Sequence, residues 1–186
     1  WQVNGWDQFV SDLKKLKSTL PAGVFPFESG TNDVHAFYVW NALYSQINGN
    51  KSFIKDGKAN FDNPAALKAL KAMKQLVQDG LWPKNVTNTY DMFKSGKAAV
   101  NFTGVWATGN YQSNPKLHFK AVPIPKLFDK QATWGDSHTF VLPAQKDHKK
   151  QLAAMKFIKW VSDNSVIWAG AGHVPANLNV LKSSQY

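Results

Sequence analysis

The stretch "MFKSGKAAVNFTGVW", residues 92–106, decides how the rest of the chain is read. A short amphipathic segment runs into Gly96, a helix stop, because glycine adopts the left-handed conformation freely. "KAAVNF" then reads as a strand, with Gly104 and Trp106 at its exit. Helix, glycine, strand and a turn into a new element belong to layered α/β proteins, whose strand ends and following loops receive ligands. Glycine at such an exit either turns the backbone tightly or lets another group come close. The indole of Trp106 is therefore either a lid on the core or a platform for a ligand.

Working outward, "NGWDQFVSDLKKLKS" sets Trp6, Phe9, Val10, Leu13 and Leu16 at helical spacing, with Asn4 or Gly5 as its cap. "AGVFPF" (22–27) reads as a strand and leads through "ESGTN" to a helix from Asp33. "KSFIKDGKANF" predicts a hairpin turning at Asp56-Gly57. In "NPAALKALKAMKQLVQDG", Asn63 caps, Pro64 takes the first turn and Gly80 closes. Its expected buried stripe is Leu67, Leu70, Met73, Leu76 and Val77. Beyond Trp106 come a short helix near Val105, a strand over 117–125 and a polar, aperiodic crossing near 125–135. A strand "HTFVLPA", a helix from about Asp147 to Val161 and a shorter one around Ser165 to Ala171 follow. The alternation predicts an α/β architecture.

Composition narrows the function classes. The 186 residues carry a formal charge of +10, yet all 22 basic residues are lysine. Arginine supplies the planar fork for base edges and bidentate phosphate contacts, so its absence argues against nucleic acid. Lys14, Lys15 and Lys17, and Lys68, Lys71 and Lys74, fall on the polar faces of helices. The lack of cysteine excludes disulfides and thiolate metal sites, and fits an extracytoplasmic location. Trp1 opens within a structured pattern, so the chain reads as part of something longer.

Catalytic signatures fail on inspection. Ser11-x-x-Lys14, Ser162-Asp163-Asn164 and Lys94-Ser95-Gly96 imitate the motifs of penicillin-interacting serine enzymes, but in the wrong order. No zinc-protease, nucleophile-elbow, phosphate-loop or dinucleotide motif is present. Five scattered histidines claim no metal site, and Glu28, the one glutamate, excludes a glutamate acid/base pair while leaving aspartate pairs open. The sequons at Asn85 and Asn101 are discounted as chance. The chain reads as a non-enzyme without cofactor or metal.

The ordered set "GWDQFVSDLKKLK", "GTNDVHAFYVWNAL", "NPAALKALKAMKQLVQDGLW", "YDMFKSGKAAVNFTGVW" and "AAMKFIKWVSDNSVIWAGAGHVPA" resembles extracellular solute-binding proteins of carbohydrate ABC importers, the maltose-binding-protein type. The most specific pieces are "MFKSGKAAVNFTGVW" and "AGHVPA". The resemblance implies a periplasmic-binding-protein-like (type II) fold of two α/β lobes, present here in part. It makes residues 1–125 the C-terminal-lobe core, 126–180 a segment crossing into the N-terminal lobe, and 181–186 the start of the return. It also implies capture of a sugar or oligosaccharide for a membrane permease, by a monomer tethered at the membrane surface or free in the periplasm. Rival readings are a polyamine or glycerol-phosphate-ester receptor of the same fold, or a carbohydrate-active module.

Site residues follow from the same resemblance. Trp106 matches the tryptophan that lies under the sugar, although the family's proline before it is Val105 here. An indole face can cover the C–H face of a pyranose, while the hydroxyl rim needs fixed polar partners. His35 and Tyr38 fall at the start of a cleft-facing helix, where they are ligand contacts or a capping histidine and a core tyrosine. Asp136, Ser137 and His138 cluster in "WGDSH" as ligand contacts or as ordinary turn chemistry. His173 lies in "AGHVPA", and Trp134 and Trp168 are candidate rim aromatics.

Overall fold

The computed structural model describes residues 2–86 and 88–186. The sequon at Asn85 runs to Thr87, which lies outside the described residues. The chain divides into two compact units, one formed by residues up to Thr103 together with Asn114–Gly135, the other by Gly104–Ser113 and Asp136–Tyr186. No helix among the described residues is long and apolar enough to cross a membrane.

The first unit is built from α1 (Trp6–Thr19), β1 (Phe25–Glu28), α2 (Val34–Ile47), the hairpin β2 (Ile54–Lys55) and β3 (Lys58–Ala59), α3 (Pro64–Gln78), α4 (Thr89–Lys94) and β4 (Ala98–Asn101). The expected hairpin turn is present: Asp56 and Gly57 both take positive φ, 52° and 73°, as a two-residue turn between twisted strands requires. β1 and β4 pair in parallel, with Phe25 opposite Ala98, Phe27 opposite Val100 and Glu28 opposite Asn101. α1 packs on β1, and α2 on α3.

The core of this unit is aromatic. Phe27 is fully buried and meets Phe9, Trp82 and Phe102 at interplanar angles of 82°, 90° and 84°, the edge-to-face arrangement that ring quadrupoles favour. Against it α3 turns part of the expected stripe, Leu76 with Met73 and Val77 partly buried, but Leu67 and Leu70 give way to alanines. Ala66, Ala69, Ala72 and Leu76 are buried, while Leu67 and Leu70 are each 53% exposed. The bulk at this contact comes from α2, whose Trp40 and Tyr44 are buried and stacked at 4.9 Å. Small residues on α3 let the helices approach, and the Trp40 indole N–H reaches the Ala66 carbonyl at 3.4 Å.

The crossing near 125–135 is pinned to this unit by one buried side chain. Gln46 Oε1 accepts the backbone N–H groups of Leu127 (2.7 Å) and Phe128 (3.2 Å), and Nε2 donates to the carbonyls of Pro125 and Ala132. Trp6 adds a stacked contact with Phe128 at 5.5 Å. A polar but aperiodic stretch is thus held by backbone groups, and the chain stays with the first unit as far as Gly135.

The second unit contains a 3-10 turn (Val105–Ala107) leading into α5 (Thr108–Gln112), then α6 (His148–Asp163), α7 (Val166–Gly170) and α8 (Leu178–Leu181). Asp147 caps α6 by accepting the N–H groups of Lys149 and Lys150. Asn177 caps α8 and also donates to the Ser162 carbonyl, fastening it to the end of α6. The segments 117–125 and 138–144, expected as strands, carry no strand assignment, and the sheets among the described residues are formed by β1 with β4 and β2 with β3 alone. Their apolar residues fit a strand, but a ladder needs a neighbour to pair with.

Candidate functional site

Both strands of the parallel pair end side by side at Glu28 and Asn101, and the loops leaving them carry the polar groups of the first unit's candidate site. The first loop is rigid by construction. Ser29 is buried; its hydroxyl donates to the Phe102 carbonyl at 3.0 Å, and its own carbonyl accepts the Trp82 indole N–H at 2.7 Å. Gly30 follows because a Cβ there would stand 2.1 Å from Asp33 Oδ1. That space lets the Asp33 carboxylate fold back, cap α2 through the His35 N–H at 2.8 Å, and meet His35 Nδ1 at 2.9 Å.

His35 is only 6% exposed, and its Nε2 lies 2.9 Å from the Tyr90 hydroxyl. In the neutral tautomer that satisfies both contacts, Nδ1–H donates to Asp33 and Nε2 accepts from Tyr90. Both ring nitrogens are therefore engaged within the protein. Tyr38 stands edge-on to His35 at 5.4 Å and stacks on Trp134 at 4.2 Å and 25°. The result is an aromatic cluster of Tyr38, Trp134 and Tyr90 braced by a buried His35 that pairs with Asp33.

Glu28 closes the polar floor. It is fully buried, Asn101 donates its side-chain amide to Oε2, and burial pushes the carboxyl up from 4.5 to about 7. The Thr89 and Asn101 hydrogen bonds pull in the opposite direction, and the Asp33 charge adds to the rise. Asn101 also reaches Thr89 Oγ1 at 3.1 Å, so its amide is committed to this network rather than offered as a glycan acceptor.

In the second unit the sequence's two most specific pieces come together. A Cβ at Gly104 would stand 1.9 Å from Cζ3 of Trp106, so the glycine exists to admit the indole. Gly172, in "AGHVPA", takes φ +90°, and a Cβ there would lie 2.5 Å from the Val105 carbonyl and 2.6 Å from Thr108 Oγ1. Trp106 and His173 are both half-buried, and the His173 N–H donates to the Trp168 carbonyl. Asp136, Ser137 and His138 are exposed, and the Ser137 N–H donates to Asp136 Oδ1 at 2.7 Å.

Of the sequence-predicted residues, His35 and Tyr38 are thus brought together, and Trp106 shares a packed turn with the loop of His173. Tyr90, Glu28 and Asn101 were not anticipated as site residues. No local signal marks Tyr90, whose partner His35 is 55 positions away. Glu28 had one available signal, a carboxylate closing an apolar strand.

Comparison with known proteins gives this geometry its family. Residues 2–186 match the model of the bacterial extracellular solute-binding protein family. A Brucella abortus (strain 2308) relative is 23% identical over 97% of this chain and 46% of its own length. Among solved structures, UgpB from Mycobacterium tuberculosis in complex with glycerophosphocholine superposes with a TM-score of 0.77 at 15% identity, over 97% of this chain and 48% of that one. The maltose/maltodextrin-binding domain MalE from Bdellovibrio bacteriovorus bound to maltotriose gives 0.72 at 17%, over 100% and 51%. A Streptococcus pneumoniae solute-binding protein in complex with the blood group A-trisaccharide gives 0.66 at 24%, over 97% and 48%. The chain spans about half the length of these relatives, and the fold it shares with them is the type II periplasmic-binding-protein fold, present in part. Matched along all but its first residue, the chain belongs to the bacterial extracellular solute-binding proteins.

Proposed function

We propose that this chain is part of the receptor subunit of an ABC importer that captures a sugar or oligosaccharide and delivers it to a membrane permease without chemical change. The observation that carries the reading is the Tyr38–Trp134 stack held edge-on by His35 at the strand ends of the first unit. Aromatic faces suit the C–H faces of pyranoses, and rigid placement lowers the entropic cost of binding. Trp106, seated on Gly104, is the second platform of this reading, with Asp136, Ser137, His138 and His173 as candidate partners for hydroxyl groups. His35, buried with both nitrogens bonded, acts by positioning Tyr38 and Tyr90 rather than by touching ligand. Ligand bridging two lobes would bias a hinge equilibrium toward closure, and the closed form would dock on the permease. The subunit works outside the cytoplasm, as a cell-surface lipoprotein or a periplasmic protein, and as a monomer.

A second reading is favoured by the superposition on the glycerophosphocholine complex. An aromatic cluster also suits a quaternary ammonium head. Against it, the chain has no arginine to clamp a phosphodiester. Titration calorimetry of the full-length protein against maltotriose, other oligosaccharides and glycerophosphocholine separates the two. Saccharide binding that is lost in Trp134→Ala supports the first reading. Binding of glycerophosphocholine alone replaces it with the second, and turnover of a bound oligosaccharide overturns the non-catalytic assignment.

A further inference from the structure

Glu28 is the one glutamate of the chain, and it is buried where β1, β4 and α4 meet. Oε2 accepts from the Asn101 amide, Thr89 bonds the same carboxyl, and Oε1 has no hydrogen-bond partner among the described residues. A carboxylate with four acceptor sites, two neutral partners and one oxygen left over is poorly solvated. A carboxylic acid in the same place has less charge to satisfy. The groups facing it are accounted for element by element. From β4 comes Asn101, and from α4 comes Thr89, both neutral. From the loop before α2 comes Asp33, whose negative charge opposes ionisation. His35 bonds both Asp33 and the Tyr90 hydroxyl, and Asp91 on α4 bonds Asn88. None of the ion pairs among the described residues involves Glu28.

Thr89 opens α4, and the next residue, Tyr90, carries the hydroxyl that meets His35. The Glu28 carboxyl therefore holds the helix end from which one wall of the aromatic cluster hangs. We propose that Glu28 is a positioning residue seated as the neutral acid, and that losing its proton to solvent loosens α4 and withdraws Tyr90 from His35, so that ligand affinity falls as pH rises. The last step rests on the saccharide-site reading; the first two do not.

The thermodynamic sign follows. Burial raises the folded-state value to about 7 from 4.5, so the folded chain binds more protons than the unfolded one between those values. Stability is greatest below that window and falls across it as pH rises. A glutamate that merely tied three elements together as a carboxylate would show the opposite trend.

Uniformly 13C,15N-labelled glutamate incorporated into the full-length protein gives a Glu28 side-chain carboxyl resonance, assigned by its through-bond connection to the Glu28 amide, which should titrate near neutrality. Over the same range, the protection of the α4 amides, measured as exchange relative to an open amide at the same pH, should fall by about tenfold or more, as for a local opening. Glu28→Gln, which stays neutral, should hold α4 protection and saccharide affinity constant from about pH 6 to about pH 8. A resonance titrating below about 5 overturns the proposal, since that is the ordinary carboxyl range. So does α4 protection that ignores the titration. If Glu28→Gln does not fold, the wild-type resonance and exchange decide alone. If no saccharide binds, those two readouts still stand, and the failure lies with the ligand class.

Discussion

The six-membered ring of Trp106 occupies the space that a side chain on residue 104 would need, with Cζ3, Cη2 and Cε3 all within 2.3 Å of an ideal Cβ position. Gly104 has φ −95°, so left-handed geometry is not what requires glycine here. Space requires it. The glycine at the strand exit and the indole two residues on are one device, which sets the plane of the ring against the backbone.

Gly104→Ala should therefore displace the indole. Forcing a methyl group into an occupied space costs about 1–3 kcal/mol of stability. On the saccharide reading, Trp106→Ala should cost about 1–3 kcal/mol of affinity, the size of a lost buried aromatic contact. Because both changes act on the same ring, the double variant should bind no more weakly than Trp106→Ala alone. Calorimetry on the three variants checks this, and simple additivity of the affinity losses would sever the glycine from the platform.

The positioning role of His35 makes a separate prediction. His35→Ala removes the hydrogen bond that His35 makes with the Tyr90 hydroxyl and the edge that Tyr38 meets, and should cost about 1–3 kcal/mol of stability. Tyr90→Phe removes one hydroxyl from the same bond and should cost about 0.5–1.5 kcal/mol. Denaturant unfolding of both singles and the double reads the coupling. If His35 instead touched ligand directly, its variant would lose affinity while stability stayed unchanged.

Much of this was legible locally. Asn63, Pro64 and Gly80 bracket α3, Asp33 and Asp147 cap α2 and α6, and Asp56-Gly57 turns the hairpin, because each signal acts within a few residues. The residues that matter over long separations were not. His35 meets Tyr90, Tyr38 meets Trp134, and Gln46 holds the backbone of 125–132, contacts that no periodicity encodes. The strands expected over 117–125 and 138–144 were legible as patterns only, since a ladder belongs to two segments at once.

The face of α3 provides the last test. Hydropathy alone selected Leu67 and Leu70 for the core, yet both are half exposed, and the buried face is Ala66, Ala69, Ala72 and Leu76. Alanine is the better fit because Trp40 and Tyr44 of α2 already fill the space between the helices, and side chains in a close-packed interior cannot overlap. Ala69 is fully buried, so Ala69→Leu adds three carbons where there is no room. It should destabilise the chain by about 1–3 kcal/mol and push α3 away from α2. Leu67→Ala removes as many carbons from an exposed position and should change stability by no more than about 0.5 kcal/mol. Thermal and urea unfolding of the two variants measure the difference. The reverse order, a costly Leu67→Ala and a silent Ala69→Leu, would mean that α3 packs by its leucine face and is turned about its axis from the arrangement described.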